Sequence, residues 1–388
     1  MPIINRIAEF APELTEWRRD LHAHPELGFQ EHRTSDVVAA KLEAMGIEVH
    51  RGMAGTGVIG TLKAGTGDRS IGLRADMDAL PILERGEGER PHRSTNDGVM
   101  HACGHDGHTT MLLGAAKYLA ENKNFDGTVH FIFQPAEEGL GGGDKMVQEG
   151  LFELFPCDTV WGMHNIPGIP VGHFAVAPGP MMAARDNFEI TITGKGSHAA
   201  MPHQGIDPVV VGAHMVMALQ TITSRNLNPR DALVLSVTQF HAGHAFNIVP
   251  DQIVLRGTCR VFDPVIQQSL PERIGRIMDG VSATFGATAE LNYIKGYPAT
   301  INDAEQAAVA AQVAERVAGA ERVDRAPRPV MGAEDFSYML NVRPGAYIWA
   351  GNGDTAGVHH PDYDFNDEAL AHGASYWAQL VEDRLTRV

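Results

Sequence analysis

The chain has 388 residues, of which 44% are apolar and 20% charged, with a formal net charge of −17 at pH 7. This length exceeds what one ordinary hydrophobic core holds, so we expect two domains of globular composition. The acidic excess argues against a nucleic-acid partner, since nucleic-acid binding relies on clustered lysine and arginine. The sequence has no apolar run of roughly 18 residues, so we expect no membrane partner.

The chain termini and cysteines bear on the compartment. The N-terminus lacks the basic start, apolar middle and small-residue cleavage site of a signal peptide. Cys103, Cys157 and Cys259 are widely spaced and odd in number, which does not make a disulfide framework. We therefore expect a cytoplasmic protein.

The first part of the chain predicts helices at residues 12–24 and 34–45, followed by a strand that starts near residue 47. The segment Gly55-Thr-Gly-Val-Ile-Gly60 has the spacing of a dinucleotide-binding fingerprint. An apolar stretch and a glycine turn at 65–67 follow it instead of a helix. We therefore interpret this segment as part of a hairpin.

Three short apolar strands run directly into polar groups. The strand at 70–74 is followed by Asp76 and Asp78, and the strand at 128–133 by Glu137 and Glu138. A third strand, at 160–165, includes His164. Open α/β sheets place functional groups at the carboxyl ends of their strands. Strands that alternate with helices in this way predict an α/β sheet with one shared site.

The segment His101-Ala-Cys-Gly-His-Asp-Gly-His108 concentrates a thiol, three imidazoles and a carboxylate. A helical pattern starts at Thr109, so we expect a loop that leads into a helix N-terminus. Cys103 and His105 are two residues apart, which suits a loop that directs both side chains at one centre.

The second half of the chain changes in character after Pro180. Residues 187–294 predict the order β-α-β-β-α-β, typical of a ferredoxin-like module. An α/β pattern resumes near residue 304, so the module is an insertion. We expect a catalytic α/β domain formed by residues 1–184 and 297–388, with an inserted domain at 185–296.

The polar groups at the strand ends form one constellation of metal donors. Thiolate, imidazole and carboxylate suit borderline divalent metals, and five donors exceed the tetrahedron of a structural zinc. They suit two metals that share a bridging ligand. Glu137, beside a metal-binding Glu138, is placed as a general base, and Asp76 as a residue that orients a ligand. The donors are Cys103, His105, Glu138, His164 and either His359 or His360.

The motifs together resemble the M20 metallopeptidase/amidohydrolase family, in particular its branch of hippurate hydrolases, bacterial N-acyl-amino-acid amidohydrolases and plant indoleacetyl-amino-acid hydrolases. They span nearly the whole chain in order. The matching motifs are Arg74-Ala-Asp-Met-Asp-Ala-Leu-Pro81, His101-Ala-Cys-Gly-His-Asp-Gly-His108, Gln134-Pro-Ala-Glu-Glu-Gly139, Gly162-Met-His-Asn-Ile-Pro167, Gly194-Lys-Gly-Ser-His-Ala-Ala-Met-Pro-His203, Asn247-Ile-Val-Pro250, Met331-Gly-Ala-Glu-Asp-Phe336 and Val358-His-His-Pro361.

The resemblance implies a di-metal centre in which His359 is the fifth ligand and a general base, Glu137, acts on a water that bridges the metals. It also implies that the inserted module is a lid and dimerisation domain, giving a homodimer or homotetramer. His198 would contact the substrate carbonyl oxygen, and Asn247 and Arg260 the substrate carboxylate. Arg74 stands where the wider family has a metal-binding histidine.

We predict an amidohydrolase with two divalent metals per subunit (zinc, manganese, cobalt or nickel) that cleaves N-acyl amino acids such as hippurate. The alternatives are a metallo-dipeptidase or aminoacylase of the same family, a thiol hydrolase that uses Cys103 with His105, and a binding protein with a degenerate site. The acyl group, the amino acid and the resting position of the lid stay open.

Overall fold

The computed structural model describes residues 3–85 and 90–387. No helix among these residues is both long and apolar enough to cross a membrane. The helices are α1 (Asn5–Ala23), α2 (His32–Ala44), α3 (His105–Asn122), α4 (Gly142–Gln148), α5 (Leu151–Leu154), α6 (Pro208–Arg225), α7 (Pro264–Phe285), α8 (Ala304–Ala318), α9 (Ser337–Leu340) and α10 (Ala369–Arg384).

The strands carry labels in chain order. They are β1 (Glu48–Met53), β2 (Gly57–Ala64), β3 (Ser70–Asp76), β4 (Gly127–Gln134), β5 (Thr159–Ile166), β6 (Phe174–Ala175), β7 (Gly179–Met182), β8 (Ala184–Thr193), β9 (Ser197–His198), β10 (Leu233–Ala242), β11 (Ile248–Val249), β12 (Gln252–Val261), β13 (Thr288–Ile294), β14 (Thr300–Asn302), β15 (Val323–Asp324) and β16 (Gly345–Gly351).

The chain divides into two compact units. The first contains residues up to Met181, Ile301–Arg328 and the chain from Asp335 onward, and the second contains Met182–Thr300 and Pro329–Glu334. The second unit thus includes residues 329–334, which the sequence analysis assigned to the catalytic domain. The backbone amide of Ala183, at the start of the second unit, donates to the carbonyls of Val330 and Gly332 and so holds this segment there.

The first unit is built on a mixed sheet with the strand order β1-β2-β4-β3-β5-β16-β6-β15 in the described residues. Its central strands β4, β3, β5 and β16 run parallel, so their carboxyl ends share one edge. The near-continuous apolar sequence of these strands suits their burial on both faces. Helices α1, α3 and α10 pack together against the sheet. The predicted α/β class is confirmed.

The glycine-rich segment at 55–60 forms part of β2 and starts no helix, which agrees with its interpretation as a strand. The segment does belong to a hairpin, because β1 and β2 are adjacent antiparallel strands. The turn at 65–67 is not the hairpin turn, since it leads into β3 on the far side of β4. Helix α1 also starts earlier than predicted and continues through Pro12, since Ile7, Phe10 and Leu14 extend its buried face.

The second unit contains a sheet with the order β10-β12-β8-β13, and all three neighbouring pairs are antiparallel. In chain order its elements are β8, α6, β10, β12, α7 and β13, which is the predicted β-α-β-β-α-β sequence. Asp207 and Asp263 accept hydrogen bonds from first-turn amides and cap helices α6 and α7. Both helices pack on one face of the sheet.

Helix α3 lies at the centre of the first unit and provides a test of core packing. Leu112 is fully buried, so Leu112→Ala is expected to lower the free energy of unfolding by about 2–5 kcal/mol through lost contacts and a residual cavity. The measurement is urea unfolding. Leu154→Ala, at a helical leucine that is 58% exposed, is the control and should change stability by less than about 1 kcal/mol. Equal losses in both variants would contradict this description of the core.

Candidate metal centre

The predicted loop at residues 101–108 is shorter than expected, because α3 begins at His105 and not at Thr109. Gly104 precedes the helix in a left-handed conformation with φ of 89°. A Cβ atom at Gly104 would lie 2.2 Å from Asn165 Nδ2 and 2.5 Å from the Tyr363 hydroxyl, so only glycine fits here. Asp106 in the first turn suits the positive end of the helix dipole. His105 is therefore fixed by a helix, and Cys103 by the tight turn before it.

Cys103 lies against His164 of β5, with 3.3 Å between Sγ and Nε2. The other ring nitrogen of His164 donates to the Asn165 carbonyl at 2.5 Å, which leaves Nε2 as the unprotonated, ligating nitrogen. Burial, together with the nearby His108, lowers the pKa of His164 well below its usual value, so the ring is neutral. Neutral imidazole is the form that binds metals.

His105 is held in the same way from its Nδ1 side, which donates to the Asp78 carbonyl at 2.8 Å. Its Nε2 atom is buried and makes no hydrogen bond. Burial alone lowers the pKa of His105, but Asp76, Asp78 and Glu138 outweigh burial and raise it to about 10. These surroundings favour a positive charge at Nε2, which either a proton or a metal ion can supply.

Glu137 and Glu138 follow β4 through an unusual turn. Ala136 has a left-handed backbone with φ of 55°, and its amide donates to Glu31 Oε1 at 2.8 Å. The two carboxylate oxygens of Asp78 accept the backbone amides of Glu137 and Glu138, each at 3.0 Å. Asp78 therefore fixes the backbone that carries both glutamates, and both side chains have an oxygen near a nitrogen of His105.

The last predicted ligand segment separates its two histidines. His359 has a left-handed backbone, and its Nε2 lies 3.2 Å from Glu138 Oε1, close to Cys103 Sγ. The neighbouring His360 instead accepts the Asp362 amide at 3.2 Å and lies 3.6 Å from its carboxylate. The geometry thus brings His359 to the donor cluster.

The electrostatics of the cluster fit a metal cation. Burial, with Glu138, Glu137 and Asp76, raises the pKa of the Cys103 thiol well above its usual value. A thiol in such surroundings becomes a thiolate only beside a cation, which argues against the thiol-hydrolase alternative. The Nε2 atom of His105 is buried without a hydrogen-bond partner. Thiolate, imidazole and carboxylate suit a divalent metal such as zinc.

Asp76 lies beside His105 and is oriented by a hydrogen bond from His108. His108 Nδ1 donates to Asp76 Oδ1 at 2.7 Å, while His108 Nε2 accepts the Asn165 amide at 2.9 Å. Both nitrogens of His108 are thus engaged, which makes it a support rather than a ligand. Burial raises the pKa of Asp76, but His105, Arg74 and His108 together lower it well below its usual range. Asp76 is therefore ionised beside His105.

Arg74 occupies a fully buried position between carboxylates. It contacts Asp76 Oδ2 at 2.7 Å and Asp335 Oδ1 at 3.0 Å, and its Nε donates to Gln134 Oε1 at 2.8 Å. The guanidinium therefore joins β3 to the end of β4 and to residue 335. A permanent cation with several donors thus occupies this buried position.

A second charged network lies under the N-terminus of α3. Arg18 Nε and His22 Nδ1 contact Asp106 Oδ2 at 3.0 and 2.8 Å. Burial raises the pKa of Asp106, but Arg18 and His22 lower it far below its usual value. His22 therefore helps to anchor the helix that begins at His105.

The predicted substrate-binding residues belong to the second unit. His198 and Asn247 line a groove of about 450 Å³ there, and the Asn247 carbonyl accepts the Ala199 amide at 3.0 Å. Arg260 lies on β12 and, among the described residues, does not line this groove. The structure thus brings His198 and Asn247 together and places Arg260 apart from them.

Sequence reasoning missed the roles of Asp78 and His108. Both residues belong to motifs that the sequence analysis recognised, and Asp76 and Asp78 were noted there as polar groups at a strand end. What the motif could not show is which carboxylate contacts a backbone amide and which contacts a ring. That division depends on partners 30 or more residues away, as with the Asp78 contact to Glu137 at a separation of 59.

The fold and donor set define a metal-dependent hydrolase, because buried metal donors and a neighbouring carboxylate meet at the carboxyl ends of parallel strands. The model of peptidase family M20/M25/M40 matches residues 72–383. The chain belongs to this family.

Named relatives cover almost the whole chain. A hippurate hydrolase from Campylobacter jejuni is 41% identical over 98% of this chain and 99% of that protein. An N-acetylcysteine deacetylase from Bacillus subtilis is 39% identical, covering 96% of this chain and 97% of that protein. A dinuclear metal binding peptidase of the M20 family from Bacillus subtilis has a TM-score of 0.86 at 35% identity, covering 98% of this chain and 100% of that chain.

The position of Asp78 leads to a prediction about metal affinity. Asp78→Ala removes both oxygens that hold the Glu137–Glu138 backbone, so metal affinity is expected to fall roughly 10- to 100-fold. Competition with a chromophoric chelator measures this affinity. Asp78→Asn retains one acceptor oxygen and should give an intermediate loss. Asp68→Ala, at an exposed aspartate before the start of β3, is the control. Equal affinities in all variants would show that Asp78 does not position the ligands.

Proposed function

We propose that this member of the M20 family is a metal-dependent amidohydrolase that cleaves N-acyl amino acids, with hippurate as a representative substrate. The observation that carries the proposal is the placement of Glu137. Its backbone is fixed by Asp78, one of its carboxylate oxygens accepts the Asp335 amide at 3.3 Å, and it lies beside His105 and Glu138. The hippurate hydrolase and N-acetylcysteine deacetylase relatives support this class of substrate.

In this proposal the ligands are Cys103, His105, Glu138, His164 and His359. Two divalent ions bound there would polarise the amide carbonyl and make water more acidic. Glu137 removes a proton from the attacking water and delivers it to the leaving amine.

The second unit supplies the contacts to the substrate in this proposal. His198 donates a hydrogen bond to the oxyanion that develops from the amide carbonyl. Arg260 holds the substrate carboxylate, for which a guanidinium is chemically suited. Asn247, assigned to the same carboxylate, lies with His198 in a groove apart from Arg260, so these two residues would reach the substrate from a partner subunit.

The proposed chemistry is tested with chelator-treated protein to which zinc, manganese, cobalt or nickel is returned. We expect at least one metal to restore hippurate hydrolysis. In the restored enzyme, Glu137→Gln should lower kcat by roughly 10²- to 10⁴-fold without changing metal content, since the amide cannot accept the proton. Glu43→Gln, at an exposed glutamate on α2, is the control.

Near-normal turnover by metal-loaded Glu137→Gln protein would contradict the role of Glu137. Hydrolysis of Gly-Leu in preference to hippurate would instead favour the dipeptidase alternative. A metal-loaded wild type with no turnover on either substrate would favour a binding protein.

We also propose that the second unit forms a homodimer through the edge strand β10. This strand ends the sheet, and its residues 238–242 are exposed. Unpaired backbone groups on an edge strand readily pair with a second chain. Helix α6, which packs beside β10, adds Met217 with 73% of its surface exposed.

Met217→Glu is therefore expected to convert the assembly to monomer, because it places a charge in the proposed interface. Light scattering after size-exclusion chromatography measures the mass. Val265→Glu is the matched control, since Val265 is also 73% exposed but lies on α7, which packs beside β13 at the other edge. A monomeric wild type, or an unchanged mass in Met217→Glu, would contradict this interface.

A further inference from the structure

Two arginines face each other across neighbouring strands of the second unit. Arg185 of β8 and Arg260 of β12 are directly opposite in the antiparallel register. Residues at such positions have Cβ atoms about 4.5–5.5 Å apart, and like charges there are destabilising. The sheet therefore holds two guanidinium groups side by side against their mutual repulsion.

The same face of the sheet also contains a cross-strand pair of opposite charges. Arg256 and Glu189 are also directly opposite in β12 and β8, and Arg256 Nε donates to Glu189 Oε2 at 2.5 Å. Strand alternation places Arg185 and Glu189 on one face, while Phe188 and Ile190 are buried toward the helices. One pair on the open face is thus neutralised within the chain, and the arginine pair is not.

Neither arginine has a carboxylate partner among the described residues. Arg260 Nη1 donates to the Thr258 hydroxyl and, at 3.0 Å, to the Cys259 carbonyl. The Arg185 guanidinium lies 4.8 Å from the centre of the Tyr297 ring, and its buried Nε atom makes no hydrogen bond. Burial and the neighbouring Arg185 lower the pKa of Arg260 and outweigh the opposing effects of Cys259 and Asp186.

The acid next in sequence cannot serve this pair, because its oxygens are already engaged. Asp186 is buried and accepts hydrogen bonds from Gln267 Nε2 at 3.0 Å, the Gly296 amide at 2.8 Å and the Tyr293 hydroxyl at 2.7 Å. It belongs to the buried face, as shown by its contact with Gln267 of α7. The open face therefore presents donors for an anion that the chain itself does not supply.

We infer that Arg185 and Arg260 form a two-arginine site for a carboxylate, and that Arg185 is a further specificity-determining residue for substrates with a free carboxylate. This inference rests on the proposed function, in which Arg260 is the only arginine assigned to the substrate carboxylate. Guanidinium groups bind carboxylates through paired hydrogen bonds, and a bound carboxylate would neutralise the repulsion between the two arginines. The site therefore selects N-acyl amino acids over their amides.

The kinetic test compares hippurate with its carboxamide in the metal-loaded enzyme. Arg185→Gln is expected to raise the KM for hippurate on the order of tenfold with kcat nearly unchanged, because it weakens ground-state and transition-state binding equally. Arg185→Lys should recover part of the loss, since it restores the charge without the paired donors. The kinetics of the carboxamide should be the same in wild type and Arg185→Gln.

Arg256→Gln is the matched control, because Arg256 lies on the same strand and face but is paired with Glu189. Its KM for hippurate should equal that of the wild type. A wild type that hydrolyses hippurate while Arg185→Gln keeps the same KM would overturn the two-arginine site and leave the proposed function standing.

Thermal unfolding with and without hippurate tests the site apart from turnover. Hippurate is expected to raise the melting temperature of the wild type, and to raise that of Arg185→Gln less. Equal shifts in both proteins, or no shift in the wild type, would overturn the inference. A wild type that is stabilised by hippurate through Arg185 but never hydrolyses it would refute the proposed function alone.

Discussion

The organisation of the metal centre depends on the carboxylate and carbonyl of Asp78. Its side chain fixes the backbone that follows β4, and its carbonyl fixes the ring of His105 at the start of α3. Three chain segments that are far apart in sequence thus meet at one buried residue. Since Ala136 holds a left-handed backbone that a non-glycine residue seldom adopts, these contacts also offset the strain of the turn. The glutamates are consequently positioned by hydrogen bonds from within the chain.

The charges around Asp78 explain why a thiol, imidazoles and carboxylates can be buried together in the donor cluster. Burial of acidic groups is unfavourable without compensation, and here Arg74 compensates Asp76 and Asp335. Elsewhere in the cluster, His105 Nε2 makes no hydrogen bond and His359 Nε2 lies 3.2 Å from Glu138 Oε1. The permanent cation therefore stabilises the buried carboxylates of Asp76 and Asp335 beside the metal donors.

Sequence alone predicted the α/β class, the inserted β-α-β-β-α-β module and the strand ends that carry the candidate site. These features follow from local periodicity and motif order, which a single chain displays directly. It did not predict that β2 pairs with β4, because this pairing joins strands that are far apart in sequence. It likewise missed the first turn of α3, where Gly104 permits a conformation that the loop-like composition concealed. The repulsive pairing of Arg185 with Arg260 was equally invisible, since it arises only from the register between two strands.

The order of the chain has a consequence for how the protein is made. In the sheet of the first unit, β16 lies between β5 and β6, although more than 160 residues separate it from them in sequence. A growing chain completes the inserted unit before β16 leaves the ribosome. Until then β5 has an open edge, and the cluster lacks His359. The inserted unit can fold while synthesis continues, but the catalytic sheet closes only with the last part of the chain. A truncated product would thus expose the β5 edge to other chains.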